Sequence, residues 1–163
     1  MSIKFKKVRD FNRGIIFELL KDAYSFDCRY EQSWYSNWQD CDNFFFDNLE
    51  IADKCAFITT LNDEAIGFVV WDPRNIPEYV EIGHNCIASK YKGNGYGKMQ
   101  LQEAMSRITQ NGVKKIIVTT DDELIHAQQT YESVGFKMHK RRKAQNVHDF
   151  IDEHIDYVFE NPQ

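Results

Sequence analysis

The sequence predicts an α/β fold, a mixed sheet that is parallel in its central part and carries helices on both faces. Its C-terminal half gives the first sign: from Tyr79 onward, strand-like and helix-like patterns alternate, the arrangement that builds parallel pairs. Before that, Cys55 to Leu61 and Ile66 to Trp71 are β-favouring stretches joined by Asn62-Asp63-Glu64, a hairpin signal. Between the two regions lies Val80 to Leu101. Its first half is apolar and β-favouring, and its second half sets Gly93, Gly95 and Gly97 ahead of an amphipathic helix.

The elements follow in order. Ile3 to Val8 alternates apolar with basic residues, as a half-buried strand does. Ile15, Ile16, Leu19, Leu20 and Ala23 recur at helical spacing over about Asn12 to Tyr24, with Asp10 or Asn12 available as the cap. Tyr30 to Leu49 is aromatic and acidic. Trp34 and Trp38 stand one helical turn apart there, which predicts a second helix whose aromatic stripe is core or pocket lining. Asp72-Pro73 to Ile76-Pro77 breaks the hairpin's sheet before the central strand, Tyr79 to Ala88. The next helix buries Leu101, Ala104, Met105 and Ile108 and stops at Asn111-Gly112. Val113 to Thr120 is a strand. Asp121 or Asp122 caps a helix with Leu124, Ala127, Tyr131 and Val134 on its apolar face, ended by Gly135. Phe136 to His139 is a short strand, and within the closing segment Asp149 to Glu160, His154 to Phe159 is the last. The expected order is β, α, α, β, β, β, α, β, α, β, β.

With 163 residues, 42% hydrophobic and 14% aromatic, the chain reads as a single domain, 1–163, able to bury a sizeable core. Met1 to Asp10 lacks the apolar run of a secretion signal and no span is long enough to cross a bilayer, so the expected setting is cytoplasmic, away from membranes. Cys28, Cys41, Cys55 and Cys86 form no Cys-x-x-Cys pair and no metal-ligand spacing with histidine; no metal and no disulfide is expected. The formal charge of -5 is uneven. Between Asp27 and Asp53 seven acids (Asp27, Glu31, Asp40, Asp42, Asp47, Glu50, Asp53) face Arg29 alone, a local balance of -6. Such a field gathers cations and repels nucleic acid. The basic run Lys140, Arg141, Arg142, Lys143 lies elsewhere, reads as a solvated face, and has no nucleic-acid-binding motif around it.

Glycines between a strand and a helix let the backbone take positive φ and approach a ligand, and the first helical N–H groups have no intrahelical partner. Together these make a phosphate cradle. A dinucleotide fingerprint from Gly93 needs a glycine where Lys98 stands; a Walker loop ending at Gly97-Lys98 needs glycine at Lys92 and a hydroxyl at Met99. The remaining pattern, Lys92-Gly93-Asn94-Gly95-Tyr96-Gly97, resembles the pyrophosphate loop Gln/Arg-x-x-Gly-x-Gly/Ala of the GCN5-related N-acetyltransferases (GNAT), with lysine in the Gln/Arg place. A further stretch, Ala127 to Phe136, resembles that family's Ala-x-x-x-Tyr-x-x-x-Gly-Phe. The family often has asparagine seven residues before the tyrosine. Here that position is Leu124, so its contact to the pantetheine arm is absent or passes to Asp122 or Glu123.

The resemblance implies the acyl-CoA N-acyltransferase fold and a chemistry with named positions. Lys92, Gly93, Asn94, Gly95, Tyr96, Gly97 and Lys98 take the pyrophosphate of acetyl-CoA, the backbone of Ile87 and Ala88 holds the pantetheine arm, and Lys90, Lys92 and Lys98 neutralise phosphates. Tyr131 gives a proton to the departing thiolate. An alkyl ammonium is neutral in only about one molecule in a thousand at pH 7, so a base is wanted. Glu81, in Val80-Glu81-Ile82, resembles the base glutamate of histone-type relatives; burial on a central strand raises a carboxylate's pKa and suits it to the task. His84 is the alternative base, titrating near neutrality, on the opposite face from Glu81 by simple alternation unless the strand is bulged. Cys86 reads as a core thiol. The expected activity is direct acetyl transfer to a primary amine, with the acidic stretch pointing to a small cationic acceptor such as a polyamine, an amino sugar or a basic peptide terminus, by a monomer or homodimer. The alternative is a coenzyme A-binding regulatory module without catalysis.

Overall fold

The computed structural model describes residues 2–145 and 150–162. Met1 and Asp149, which opened the first and last stretches read from the sequence, lie outside them. Among the described residues there are seven strands and five α-helices: β1 (Ile3–Lys6), α1 (Ile15–Ala23), α2 (Cys28–Asp47), α3 (Leu49–Cys55), β2 (Ala56–Leu61), β3 (Glu64–Asp72), β4 (Val80–Ile87), α4 (Tyr96–Thr109), β5 (Lys115–Asp121), α5 (Ile125–Ser133), β6 (Lys137–Lys143) and β7 (Glu153–Glu160). Pairing is both parallel and antiparallel, so the fold is the mixed α/β class that the sequence predicts. No helix among these residues is long and apolar enough to cross a membrane. The chain divides into two compact units, Met1–Val70 with His84–Leu101 and Trp71–Gly83 with Gln102–Gln163.

In the first unit β1, β2 and β3 pair antiparallel in that order. The β2–β3 turn is Asn62-Asp63, both at positive φ (49° and 69°), with Leu61 opposite Glu64. Two left-handed residues give a turn whose twist matches the strands, and Asn and Asp tolerate that conformation best after glycine. Val8, Ile16, Leu20, Phe57, Ile58, Ile66, Phe68 and Leu101 are fully buried and make the apolar part of its core.

Helix α1 starts later than its local caps predict, and the reason is tertiary. Its N-cap is Gly14, at φ 107°, with no side chain of its own to offer. The carboxylate of Asp42, buried on α2, supplies the cap from a distance. It accepts the N–H of Gly14 (2.9 and 3.1 Å), Ile16 (3.0 Å) and Phe17 (3.2 Å). A negative charge on the first helical N–H groups satisfies both the orphan donors and the dipole.

Cys55, expected to open the second strand, belongs instead to α3, and β2 starts at Ala56. Asn48 makes the corner between α2 and α3: its Nδ2 donates to the Phe44 carbonyl (2.8 Å) and its own carbonyl receives the N–H of Ile51 and Ala52 (3.0 and 3.1 Å). Cys55 stays helical with its thiol on the Ile51 carbonyl (3.2 Å). Seven residues with only Ala52 and Cys55 buried is too short a stretch for helical periodicity to register.

In the second unit β4 pairs parallel with β5 (Val80↔Ile116, Ile82↔Val118), β5 pairs antiparallel with β7, and β7 antiparallel with β6. Strand β6 runs on to Lys143 and so contains the basic run, with every residue exposed. Arg142 pairs with Asp156 (3.0 Å) and Arg141 with Glu153 (3.4 Å), both on β7. Cations along a strand at the end of the order discourage further strand pairing. Gly135, at φ 103°, ends α5 as expected, and the Phe136 N–H turns back onto the Tyr131 carbonyl (3.1 Å).

The Asp42 cap yields a stability prediction. Asp42→Ala leaves buried N–H groups without an acceptor, which costs about 2–4 kcal/mol. At this chain length that lowers the melting temperature by roughly 5–12 °C. Asp42→Asn, which keeps one acceptor oxygen, should lose less than the alanine variant. Calorimetric melts of the three proteins check the order; equal melting temperatures would remove the cap from the account of α1.

Candidate functional site

Beyond Ile87 the chain makes one 3-10 turn, Ser89–Tyr91, and enters α4 through Lys92-Gly93-Asn94-Gly95. Gly93 and Gly95 hold φ of 80° and 83°, where a side chain is strained. A Cβ at either position meets nothing within 4 Å, so backbone conformation and not crowding demands glycine, and the loop faces open space. The Gly95 carbonyl accepts the Met99 N–H (3.1 Å) and thereby caps α4. Tyr96, Gly97 and Lys98 make the first turn, the positive end of the helix dipole. Asn94 braces the bend from within, its Nδ2 donating to the carbonyls of Tyr91 and Lys92 (both 3.2 Å). The geometry is that of an anion cradle.

The three lysines around it differ. Lys98 is exposed on the first turn of α4. Lys90 pairs with Glu64 (3.5 Å) and lies 5.0 Å from the centre of the Tyr91 ring. Lys92 departs from expectation: its ammonium donates to the Ala23 carbonyl at the end of α1 and sits 4.8 Å from the centre of the Phe26 ring. Desolvation there lowers its pKa, an effect opposed by nearby Cys86 and Asp22. Its side chain is turned away from phosphate duty, toward a carbonyl at the negative end of the α1 dipole.

Alongside, Ala88 has its N–H on the Ile66 carbonyl (2.7 Å) and its carbonyl on the Tyr91 N–H (2.9 Å), so its backbone is engaged by the protein. Cys86 is buried and burial pushes its thiol up to about 12, as befits a core residue. His84 keeps some solvent exposure, yet the protein packed around it lowers its pKa to about 4 by desolvation. At neutral pH it is uncharged and a weak base, in contrast to the near-neutral titration expected of it.

Glu81 and Tyr131 belong to the second unit. Burial alternates along β4, with Val80 and Ile82 inside and Glu81 outside. Glu81 is therefore exposed, not semi-buried, and the argument that burial tunes it does not apply. Its charge is felt by Arg142. Tyr131 is 6% exposed on α5 and packs against Phe136 and Tyr157, with ring centres 5.8 and 5.9 Å away. The helix carrying it uses neither Asp121 nor Asp122 as a side-chain cap. Gln128 instead reaches back from inside the helix, its Nε2 donating to the carbonyls of Asp121 (3.1 Å) and Asp122 (3.0 Å). The Asp122 carboxylate accepts the Glu153 N–H (3.3 Å), and Glu123 is exposed.

The acidic stretch is less of a field than its count suggests. Asp27 pairs with Arg29 (2.7 Å), Glu31 with Lys21 (3.5 Å), Asp47 with Arg13 (2.6 Å) and Asp53 with Arg9 (2.7 Å), while Asp42 is consumed by α1. Three of these cations precede the counted window. Trp38 is buried and stacks on Tyr24 (5.6 Å), so this part of the aromatic stripe is core.

Gln100, a polar residue on the buried face of α4 that no sequence motif marks, is fully buried and fixes the seat of that helix. Its Nε2 donates to the Phe68 carbonyl (3.0 Å), Asn85 Oδ1 (2.8 Å) and the Cys86 carbonyl (3.1 Å), and its Oε1 accepts from Thr59 Oγ1 (2.7 Å). The signal for it was Gly67, a glycine inside a strand, which marks a close approach. A Cβ at Gly67 would lie 2.4 Å from Gln100 Oε1 and 2.9 Å from the Cys86 carbonyl.

Comparison with known proteins agrees with this arrangement. The family described as Acetyltransferase (GNAT) matches residues 15–136. Solved structures share the fold. The NatC complex bound to Gag peptide and CoA is 20% identical over 99% of this chain and 100% of that one, with a TM-score of 0.70. The ribosomal-protein-S18-alanine N-acetyltransferase from Escherichia coli is 16% identical over 98% and 92%, at 0.72. A GNAT family acetyltransferase from Elizabethkingia anophelis with acetyl-CoA bound is 18% identical over 98% and 97%, at 0.67. No curated protein matches the sequence.

The desolvated His84 predicts a pH effect on stability. Its folded pKa of about 4 lies below the ordinary 6.5, so between those values the unfolded chain binds more protons and stability falls as pH falls. The full effect is on the order of 3 kcal/mol. In His84→Gln that part of the loss disappears, and urea unfolding midpoints at pH 7, 6, 5 and 4.5 should decline less steeply than in the parent. Parallel declines would mean that His84 is as solvated as in the unfolded chain.

Proposed function

This chain belongs to the acetyltransferase (GNAT) family, and on that premise we propose that it is an N-acetyltransferase moving the acetyl group of acetyl-CoA directly to a primary amine. The observation that carries the reading is the loop Lys92–Lys98, with two glycines at positive φ open to solvent and the first turn of α4 behind them. The diphosphate of the coenzyme takes the N–H groups of Tyr96, Gly97 and Lys98, with Gly93, Asn94 and Gly95 shaping the cradle and Lys98 supplying charge. Since Ala88 is engaged by the sheet, the pantetheine arm is assigned to Ile87. Tyr131 and Glu81 are assigned from the family motifs, and Gly95 from its motif together with its positive φ.

In the proposed reaction the ammonium loses one proton, the free amine attacks the thioester carbonyl, and nitrogen gives up its second proton as the amide forms. The new C–N bond forms as the C–S bond breaks, and the electron pair leaves on sulfur as the thiolate. Tyr131 protonates that sulfur, and its phenol is restored from water. Glu81, exposed on β4, relays the amine's protons to solvent through water. His84, at about 4, is the weaker candidate for that relay at neutral pH. The acceptor is a primary amine. Because most of the acidic stretch is paired, the case for a small polycation loses its main support. A peptide amine is favoured over a polyamine or amino sugar, as one similar structure is bound to a peptide and another is named for acetylating a protein's alanine. We read residues 1–163 as one such domain, cytoplasmic, acting as a monomer or homodimer.

Acetyl-CoA at about a hundred times its dissociation constant should add roughly 2.7 kcal/mol of apparent stability, a melting shift of about 5–10 °C. No shift at millimolar acetyl-CoA would reject the reading of the loop. An acceptor panel including N-terminal peptides, polyamines and amino sugars, followed by coenzyme A release, then identifies the amine.

For the catalytic pair, Tyr131→Phe keeps the ring among Phe136 and Tyr157 and deletes the proton. Turnover should drop by about 10²- to 10³-fold with coenzyme affinity nearly intact. Unchanged turnover would reduce Tyr131 to packing. Glu81→Gln should cost most at neutral pH and least near the acceptor's pKa, where the amine deprotonates unaided. A deficit of constant size from pH 7 to 10 would make Glu81 a residue that orients the acceptor.

A further inference from the structure

We propose that Lys92 serves the coenzyme as a positioning residue: with Asp22 and Ser89 it latches the glycine loop to the C-terminal end of α1, so that the cradle is formed before any phosphate arrives. The proposal rests on the reading of Lys92–Lys98 as the coenzyme loop.

Both ends of the 3-10 turn that leads into the loop are tied to one place. On its near side the Ser89 N–H donates to Asp22 Oδ2 (2.7 Å) and Ser89 Oγ donates to the Asp22 carbonyl (2.7 Å). Ser25 Oγ donates to that same carbonyl (2.7 Å) and lies 3.3 Å from Ser89 Oγ. On its far side Lys92 donates to the Ala23 carbonyl and rests on Phe26. These are the last carbonyls of α1, which have no intrahelical donor and carry the negative end of its dipole. The Asp22 carbonyl also accepts the Ser25 N–H (3.1 Å), and the Lys92 ammonium serves the Ala23 carbonyl, so the charge of Lys92 is used by the protein. The opposite flank is held as well, because the Tyr91 hydroxyl donates to Glu64 Oε2 (2.5 Å). A loop fixed on both flanks gives up little conformational freedom on binding, and the affinity gained that way needs no contact between Lys92 and ligand.

A phosphate-binding lysine and a latch make opposite forecasts for Asp22. If Lys92 met phosphate, removing the nearby carboxylate would leave acetyl-CoA binding unchanged or tighter. A latch predicts weaker binding. Titration calorimetry with acetyl-CoA should give a dissociation constant raised about 3- to 10-fold in Lys92→Met and in Asp22→Ala, with the double variant no worse than the poorer single one, since one device is broken twice. Raising salt from 50 to 300 mM should weaken the parent and Lys92→Met by the same factor, because the lost charge never faced a phosphate. Lys92→Arg, which can still reach the Ala23 carbonyl, should restore most of the affinity. Unchanged or tighter binding in Asp22→Ala, together with a flatter salt dependence in Lys92→Met, would overturn the latch. Hydrogen exchange on the coenzyme-free protein decides it separately: the Ser89 amide should exchange about ten times faster in Lys92→Met than in the parent, and an unchanged rate also overturns it. A parent protein that binds no acetyl-CoA would refute the proposed function, and the exchange rate would still decide the latch.

Discussion

The first unit depends on one buried amide. Gln100 has no exposed surface, and burying such a group without partners costs several kcal/mol, so its position is tolerable only because each of its polar atoms is bonded. Its partners come from β2 (Thr59), β3 (Phe68) and β4 (Asn85, Cys86), so a single side chain of α4 reads three successive strands. The fit has no slack. At Gly67 even a methyl group would collide with Gln100, with Ile87 and with the Cys86 carbonyl. Apolar packing through Leu101 holds α4 against the sheet, but apolar contacts are non-directional. The amide fixes rotation and height together, and the glycine loop sits where it does because it is the first turn of that same helix.

Charge in this chain acts over short distances. A window of sequence from Asp27 to Asp53 carries a balance of -6, but Arg9, Arg13 and Lys21 reach into it from before the window, and one of its acids is spent on the N–H groups of α1. The basic run on β6 is matched in the same manner by Glu153 and Asp156. Most of these pairs are exposed and contribute little to stability. Their effect on function is larger than their effect on stability, because they erase fields that a net charge would suggest. Acceptor class can be inferred from charge only after the pairs are removed from the sum.

Features that depend on backbone conformation or on an apolar period were legible in the sequence. The Asn62-Asp63 turn, the left-handed Gly93, Gly95 and Gly135, and the buried stripe Leu101, Ala104, Met105, Ile108 all took the places that turn chemistry and 3.6-residue spacing assign. What depends on where a side chain reaches was not. Asp42 caps a helix that begins more than two dozen residues earlier, and Lys92 points to a carbonyl 69 residues back. No local pattern encodes either. The short α3 lacked the length to show a period, and β6 lacked the apolar face by which strands are recognised, since exposed strands at the end of a sheet need none.

Within the proposed reaction, the exposure of Glu81 changes what is asked of a base. An ammonium of ordinary pKa must lose its proton to bulk water at pH 7, and that cost, about 4 to 5 kcal/mol, is set by the acceptor and the pH whichever group handles the proton. A residue in between can lower the kinetic barrier but cannot remove the cost. Raising its pKa by burial would make it a better acceptor and a slower donor to solvent. A carboxylate on the outward face of β4 stands in contact with water already and can pass each proton on. His84 is badly placed for this on energetic grounds: the desolvation that lowers it to about 4 opposes the imidazolium that a relay must form at each turnover. Solvent access, which the fold gives to Glu81 through simple strand alternation, is thus the property that matters most for proton removal here.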